Sequence, residues 1–250
     1  MKNRLKEQLS ENRTTFGSWI TISHPVVAEF LSTLRFDWFV FDQEHSPLDV
    51  DTTQVMIQAI ADESITPLAR VAWNDQVRIK KALDIGAEGL IIPMVNTAAD
   101  AEQAVRACRY PPEGIRGCGP SRALIMDPDY LKTANEETLV IIQIESEEAV
   151  ENVESILTVE GVDGFFLGPV DLSYSFGLRG DLSDSRLQKA IDHVFEVGSR
   201  HGLPGGIWQG AGRTIPERVS QGWRMIAVGY DAQYLLEGAR TALGRADVGD

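Results

Sequence analysis

Short apolar runs alternate with longer amphipathic stretches along almost the whole chain. The runs Phe16–Ile22, Trp38–Asp42, Thr66–Val71, Gly89–Val95, Leu139–Glu145, Gly164–Gly168, Gly205–Gln209 and Met225–Gly229 are rich in Val, Ile, Phe or Trp. Runs of about 4–8 such residues predict strands buried on both faces. Between them, helical patterns cover Val26–Thr33, Thr52–Asp62, Gln76–Asp84, Ala98–Arg109, Glu147–Leu157, Asp184–His201, Ile215–Gln221 and Ala232–Leu243. The punctuation agrees with these elements. Gly86 follows one helix as a residue free to adopt the left-handed cap conformation, and Thr214 stands as an N-cap two residues before Pro216 and three before Glu217.

Eight strand–helix pairs predict an α/β fold, a single (β/α)8 TIM barrel over residues 1–250, with 245–250 as a frayed tail. A doubly wound open sheet is the alternative. The stretch Tyr110–Glu137 breaks the rhythm, because αβ connections usually take about 2–6 residues. With Pro111 and Pro112, three glycines and two arginines, it reads as an ordered functional or interface loop.

Composition narrows the partners. The 250 residues carry 23 Lys+Arg against 37 Asp+Glu, a formal charge of −14. That balance argues against nucleic acid, whose phosphates need clustered cations. It leaves anionic substrates open, since a few arginines or a metal reverse the local field. No apolar run approaches the roughly 18 residues of a membrane span, and Met1–Thr15 lacks the apolar stretch of a signal peptide. Cys108 and Cys118 form neither a CxxC motif nor a disulfide framework. The expected location is cytoplasmic, with no membrane partner.

In a barrel, chemistry gathers at the C-terminal strand ends and the loops that follow. There the sequence places Asp42, Gln43, Glu44 and His45, then Arg70, then Gln143 and Glu145, and then Gly168 through Asp171. Glu145 and Asp171 leave adjacent strands, whose spacing is about 4.8 Å, so their carboxylates can share one hard cation such as Mg²⁺ or Mn²⁺. The competing reading has Glu145 capping the next helix and Asp171 capping a turn. His45 sits beside acids and can move a proton near neutral pH; it can equally be a satisfied loop histidine, with His24 a competitor. Arg70 needs an anionic partner, which is either substrate or Glu44 or Asp42. The amides of Val170 and Asp171 can receive a carboxylate. Trp19, Trp73, Trp208 and Tyr230 lie near strand ends and read first as core, although Trp19 and Trp208 can line a site. Phosphate-cradling glycine loops and a GxSxG nucleophile motif are absent from the sequence.

Taken together, FDWFVFDQEHSP, TPLARVAWND, LDIGAEGLIIPMV, RYPPEGIRG, VIIQIES and GVDGFFLGPVDLS resemble the HpcH/HpaI aldolase family, from about Phe16 to about Leu243. The look is nearest to the 4-hydroxy-2-oxo-heptane-1,7-dioate and 2-keto-3-deoxy-sugar-acid aldolase branch. The resemblance implies a metal-dependent (class II) aldolase, an aldehyde-lyase, on a TIM barrel. It would cleave a 4-hydroxy-2-oxo acid reversibly to pyruvate and an aldehyde through a metal-stabilised pyruvate enolate. Glu145 and Asp171 would bind a divalent ion (Mg²⁺, Mn²⁺ or Co²⁺), while Gln143, Val170 and Asp171 help to hold the substrate.

The resemblance further implies that His45 is the base, that Arg70 steadies the enolate oxygen, that Asp84 supports His45, and that the protein is a homo-oligomer, usually a hexamer. Asp42 and Glu44 are expected to support these groups. Asp84 belongs to the opposite end of its own barrel from His45, so the pair would have to form with a neighbouring subunit. Gln43 departs from the family's usual small residue and either narrows the acceptor pocket or faces away. No strand ends in the lysine a Schiff base needs, which favours a metal over covalent catalysis. Oxaloacetate decarboxylation with macrophomate synthase-like capture of the enolate is the second enzymatic reading. A non-catalytic oxo-acid-binding barrel is the third.

Overall fold

The structure, a computed structural model, describes residues 2–60, 64–209 and 211–245. The chain starts with α1 (Arg4–Ser10), β1 (Thr15–Ile20), α2 (Pro25–Ser32), β2 (Trp38–Asp42), α3 (Val50–Gln58), β3 (Thr66–Arg70), α4 (Gln76–Asp84), β4 (Gly89–Ile92) and α5 (Ala98–Cys108). Then come α6 (Ser121–Met126), α7 (Tyr130–Glu137), β5 (Leu139–Ile144), α8 (Glu147–Glu151), α9 (Val153–Leu157), β6 (Gly164–Leu167) and α10 (Pro169–Ser175). It continues through α11 (Ser185–Arg200), β7 (Gly205–Trp208), α12 (Ile215–Gln221), β8 (Met225–Tyr230) and α13 (Asp231–Arg245). All eight strands are parallel and close in sequence order, with β8 pairing back onto β1. This is a (β/α)8 barrel, not an open sheet.

The two-residue period of a strand sorts its side chains. Trp38, Val40, Leu68, Ile91, Leu139, Ile141, Phe166, Met225 and Ala227 fill the barrel interior. Their neighbours Phe39, Phe41, Val140, Ile142, Ile144, Phe165 and Leu167 lie in the other layer, beneath the helices. Full burial of one such side chain contributes about 1.5–3 kcal/mol. The same parity continues upward: Asp42 is two residues past Val40, Arg70 two past Leu68, and Gln143 and Glu145 two and four past Ile141. Apolar below and polar at the C-terminal rim, the interior thus delivers a site. Gly17 makes room for this filling, because a Cβ there would lie 2.0 Å from the Trp38 ring.

Four features go beyond the sequence pattern. Helix α1 arises in a segment that reads only as polar; the Asn3 side chain caps it by accepting from Lys6 N at 3.0 Å, and Leu5 and Leu9 join the interior cluster. Asn3 Nδ2 donates to the carbonyls of Glu88 (2.8 Å) and Glu137 (3.0 Å), so α1 covers the N-terminal end of the barrel. The Tyr110–Glu137 stretch contains the helices α6 and α7. The single helix expected over Glu147–Leu157 is interrupted at Asn152, whose side chain donates to Asn96 O at 2.9 Å. Pro169–Ser175 forms a helix immediately after β6.

Boundaries shift elsewhere by up to four residues. The helix expected at Thr52–Asp62 starts at Val50 and ends regularly at Gln58, while residues 61–63 lie outside the described ones. Of the expected tail, Arg245 closes α13 and 246–250 lie outside the described residues. Among the described residues, no helix is long and apolar enough to cross a membrane.

Candidate active site

Strand parity turns Arg70 into the barrel mouth, where it is buried at 8% exposure. Its Nε donates to Asp42 Oδ1 at 2.9 Å and its Nη2 to Asp42 Oδ2 at 2.8 Å, while Nη1 lies 3.0 Å from Glu44 Oε2. The guanidinium carbon sits 4.4 Å from the centroid of the Trp19 ring. Burial works against its charge, but Asp42, Glu44 and Glu145 overcome this and raise its pKa. Arg70's protein partners are therefore the two nearby carboxylates, which fix its plane.

Glu44 and Glu145 report on the same crowded field. Burial pushes the Glu44 carboxyl up to about 7; Arg70 pulls it down, and Glu145, Asp42 and Asp171 push it further up. Glu145 is 6% exposed, its Oε1 accepts from Met94 N at 2.8 Å and its Oε2 accepts from Gln143 Nε2. Burial also raises the Glu145 pKa; Met94 and Gln143 oppose this and Asp171 reinforces it. Two carboxylates at one rim, with Asp171 disfavouring the charge of Glu145, suit a divalent cation. Glu145 does not cap α8: Ser146 does so, its Oγ accepting from Ala149 N at 3.0 Å.

Asp171 is the third residue of α10 and caps no turn. Its neighbour Gly168 leaves space beside the acids, because a Cβ there would lie 3.2 Å from Gln143 Nε2 and 3.3 Å from Glu145 Oε2. Helix geometry also leaves the first-turn amides of Val170 and Asp171 without intrahelical acceptors. Gln143 Oε1 and Trp19 Nε1 are buried without a hydrogen-bond partner, one acceptor and one donor on residues that line the site. Among the described residues, no group of three or more His, Cys, Asp or Glu is arranged to hold a metal. The donor set fits a metal held by two carboxylates, with substrate and water completing its shell.

His45 occupies the rim, its side chain 60% exposed and Nε2 3.7 Å from Glu44 Oε2. His24 is used locally, its Nδ1 accepting from Val26 N at 3.3 Å to cap α2. Gln43 faces away from the mouth, donating to Thr53 Oγ1 of α3 at 3.0 Å. A cavity of about 430 Å³ is lined by Asp42, His45, Arg70, Gln143, Val170 and Asp171 together with Trp19, Trp208 and Tyr230. The aromatic wall was the feature least legible in sequence, where each ring could belong to the core. Trp73, also read as core, is 53% exposed.

Asp84 is not brought to this cavity. It ends α4, ahead of β4, at the opposite end of the barrel from His45, and its Oδ1 accepts from Arg116 Nη2 at 2.7 Å. Arg116 is buried, stacked 4.5 Å from the Tyr110 centroid, and its Nη1 donates to the Tyr130 hydroxyl at 2.9 Å. The long connection after α5 thus organises the face that carries Asp84. Arg122 adds a bond to Ile85 O at 2.9 Å.

A parallel barrel whose mouth holds a clamped arginine, a rim histidine and paired carboxylates belongs with enzymes that stabilise developing negative charge on substrate oxygens. The family model described as HpcH/HpaI aldolase/citrate lyase matches residues 15–237. The chain belongs to this family, whose membership makes it an enzyme of the aldolase type, a lyase. It is 40% identical over 252 residues to a 4-hydroxy-2-oxo-heptane-1,7-dioate aldolase of Salmonella newport (strain SL254), covering 99% of this chain and 96% of the relative. A solved HpcH/HpaI aldolase/citrate lyase family protein from Burkholderia cenocepacia J2315 superposes with a TM-score of 0.92 at 34% identity, covering 98% of this chain and 99% of the other. Macrophomate synthase superposes with a TM-score of 0.85 at 27% identity, covering 97% and 87%.

Proposed function

We propose that the protein cleaves 4-hydroxy-2-oxo acids to pyruvate and an aldehyde, and joins the two in the reverse direction. The observation that carries this reading is that Asp171 and the clamped Arg70 line one cavity of the barrel mouth, with the buried Glu145 carboxylate in the electrostatic field of both. The likeness to the Salmonella aldolase supports it.

Cleavage breaks C3–C4. The 4-hydroxyl loses its proton, C4 becomes the aldehyde carbonyl, and the bonding pair stays with the pyruvate half as an enolate that is then protonated at C3. His45, exposed at the rim, takes the hydroxyl proton directly or through water, as an imidazole can. Glu145 and Asp171 would hold a divalent cation (Mg²⁺, Mn²⁺ or Co²⁺), which supplies Lewis-acid stabilisation of the enolate's charge. Arg70 retains N–H groups beyond those used by Asp42 and Glu44, and directs them at the same developing charge. Gln143 and the amides of Val170 and Asp171 position the oxo acid. Asp42 and Glu44 hold Arg70 in its plane.

Asp84 serves the His45 of a neighbouring subunit in a homo-oligomer, a hexamer in this reading, since its own His45 lies across the barrel. Helix α13 supports assembly: Leu235, Leu236 and Leu243 are 66%, 52% and 64% exposed. The protein acts in the cytoplasm on small molecules, not on nucleic acid. The test is pyruvate release from a 4-hydroxy-2-oxo acid by chelator-stripped and metal-restored protein. Release dependent on the metal supports the reading; release at full rate after stripping, or none with metal bound, overturns it.

A further inference from the structure

The aldolase reading fixes where the pyruvate half lies and leaves open what the aldehyde half carries. The lining of the barrel mouth answers this. Its acids, Asp42, Glu44, Glu145 and Asp171, act on one another through the field that raises Glu44. Three aromatic side chains line the same cavity. Trp208 closes β7 with its ring centroid 6.0 Å from that of Trp19 and 5.7 Å from that of Tyr230, so three rings form one continuous surface. Arg70 is the only Lys or Arg among the described residues lining the cavity, and its charge is engaged by Asp42 and Glu44.

We propose that the acceptor aldehyde is uncharged, with an apolar or aromatic body that packs on Trp208 and Tyr230, and that Trp208 sets this preference. An aldehyde ending in a carboxylate would meet no free cation of this chain there. It would lose hydration against the rings and be repelled by Asp42 and Asp171, which line the same cavity. An uncharged chain loses only apolar contact with water, which burial against aromatic faces favours. The Salmonella relative acts on a 1,7-dioate, whose aldehyde half ends in a carboxylate. This chain's preference therefore differs from that relative's. The inference rests on the aldolase reading, and its test separates the two.

The test uses full-length, metal-loaded protein and two stable probes that lack the 4-hydroxyl and so cannot be cleaved, 2-oxoheptanoate and 2-oxoheptane-1,7-dioate. They differ at the far end alone, a methyl-terminated chain against a second carboxylate. Calorimetric titration is expected to show the monoacid binding about tenfold more tightly. In Trp208→Ala, and in Trp208→Leu as a milder replacement, the ratio is expected to fall to about twofold or less. Because it is a ratio within one protein sample, a general loss of active protein does not move it. Equal or tighter binding of the diacid by the unaltered protein overturns the inference, as does a ratio unchanged in both variants. Pyruvate is titrated alongside: failure to bind it overturns the aldolase reading itself, while pyruvate binding with the wrong tail preference overturns this inference alone.

Discussion

Arg70 and Asp42 face each other directly in the β2–β3 register and are joined by two parallel hydrogen bonds of 2.9 and 2.8 Å. Both residues stand at inward positions one step above the apolar filling of the barrel, so the pair forms the floor of the site. A guanidinium held by both oxygens of one carboxylate has one orientation, and Trp19 fixes its face. The reacting oxygen of the substrate would meet a donor already in place, without reorganisation.

Asp42→Asn tests this clamp. It leaves Arg70 buried with Glu44 as its remaining anionic partner, and the expected loss is about 2–4 kcal/mol of unfolding free energy in urea titrations. Pyruvate cleavage is expected to fall at least about tenfold in kcat. Stability and kcat both unchanged would show that Asp42 does not organise Arg70.

Gly168→Ala probes the space beside the paired acids. The added methyl would press on Gln143 Nε2 and Glu145 Oε2 from 3.2 and 3.3 Å. The backbone at Gly168 has φ −92°, which alanine adopts freely, so folding should persist. Mn²⁺ affinity is expected to weaken about tenfold by calorimetry, as when partners of a metal ligand are disturbed. Unchanged affinity would place the ion elsewhere.

Asp84 and His45 lie at opposite ends of one barrel, which makes a subunit-mixing experiment decisive. His45→Ala and Asp84→Ala are each expected to be nearly inactive. Co-expressed at equal levels, they form some shared sites with both residues intact, restoring up to about a quarter of the activity. A mixture no more active than its parents would exclude the shared site.

The pH dependence of stability has a source far from the cavity. Glu88 precedes β4, where burial and the Glu137 carboxylate raise its pKa from 4.5 to about 7. Between these values the unfolded chain has released a proton that the folded protein keeps, so stability falls as pH rises through the window and then levels off. Relative to the unaltered protein, Glu88→Gln should gain at most about 3 kcal/mol at pH 8, and much less at pH 5. Urea unfolding at both pH values checks it; an equal difference at pH 5 and pH 8 would contradict it.

The barrel was legible in sequence because each strand is a compact β-branched or aromatic run between helical patterns. The rim residues were legible too, since Asp42, Arg70, Gln143 and Glu145 continue the inward parity of apolar strands. Helix α1 was less visible: only Asn3 as cap and the Leu5–Leu9 spacing announce it, amid the five charged or polar residues of the helix. In Tyr110–Glu137 the Pro-rich start hides two short helices, and the stretch is tied to the end of α4 by bonds from Arg116 to Asp84 and from Arg122 to Ile85 O. Asn152 breaks a helix through a bond to Asn96, a partner 56 positions away that local periodicity cannot report. Trp208 was open in sequence to a core or a site reading and Tyr230 read as core; closing β7, β8 and β1 into a ring brings both to one cavity.

The central proposal is that Glu145, Asp171 and Arg70 stabilise a pyruvate enolate with the help of a divalent cation. The most direct measurement follows loss of the pyruvate methyl proton signal in D₂O by NMR, with no aldehyde present. Stripped protein, protein restored with Mg²⁺ or Mn²⁺, and Glu145→Ala are compared. Exchange that requires the metal and disappears in Glu145→Ala is the predicted result. Exchange at full rate in stripped protein, or its absence from protein shown to bind the metal, would contradict the proposal.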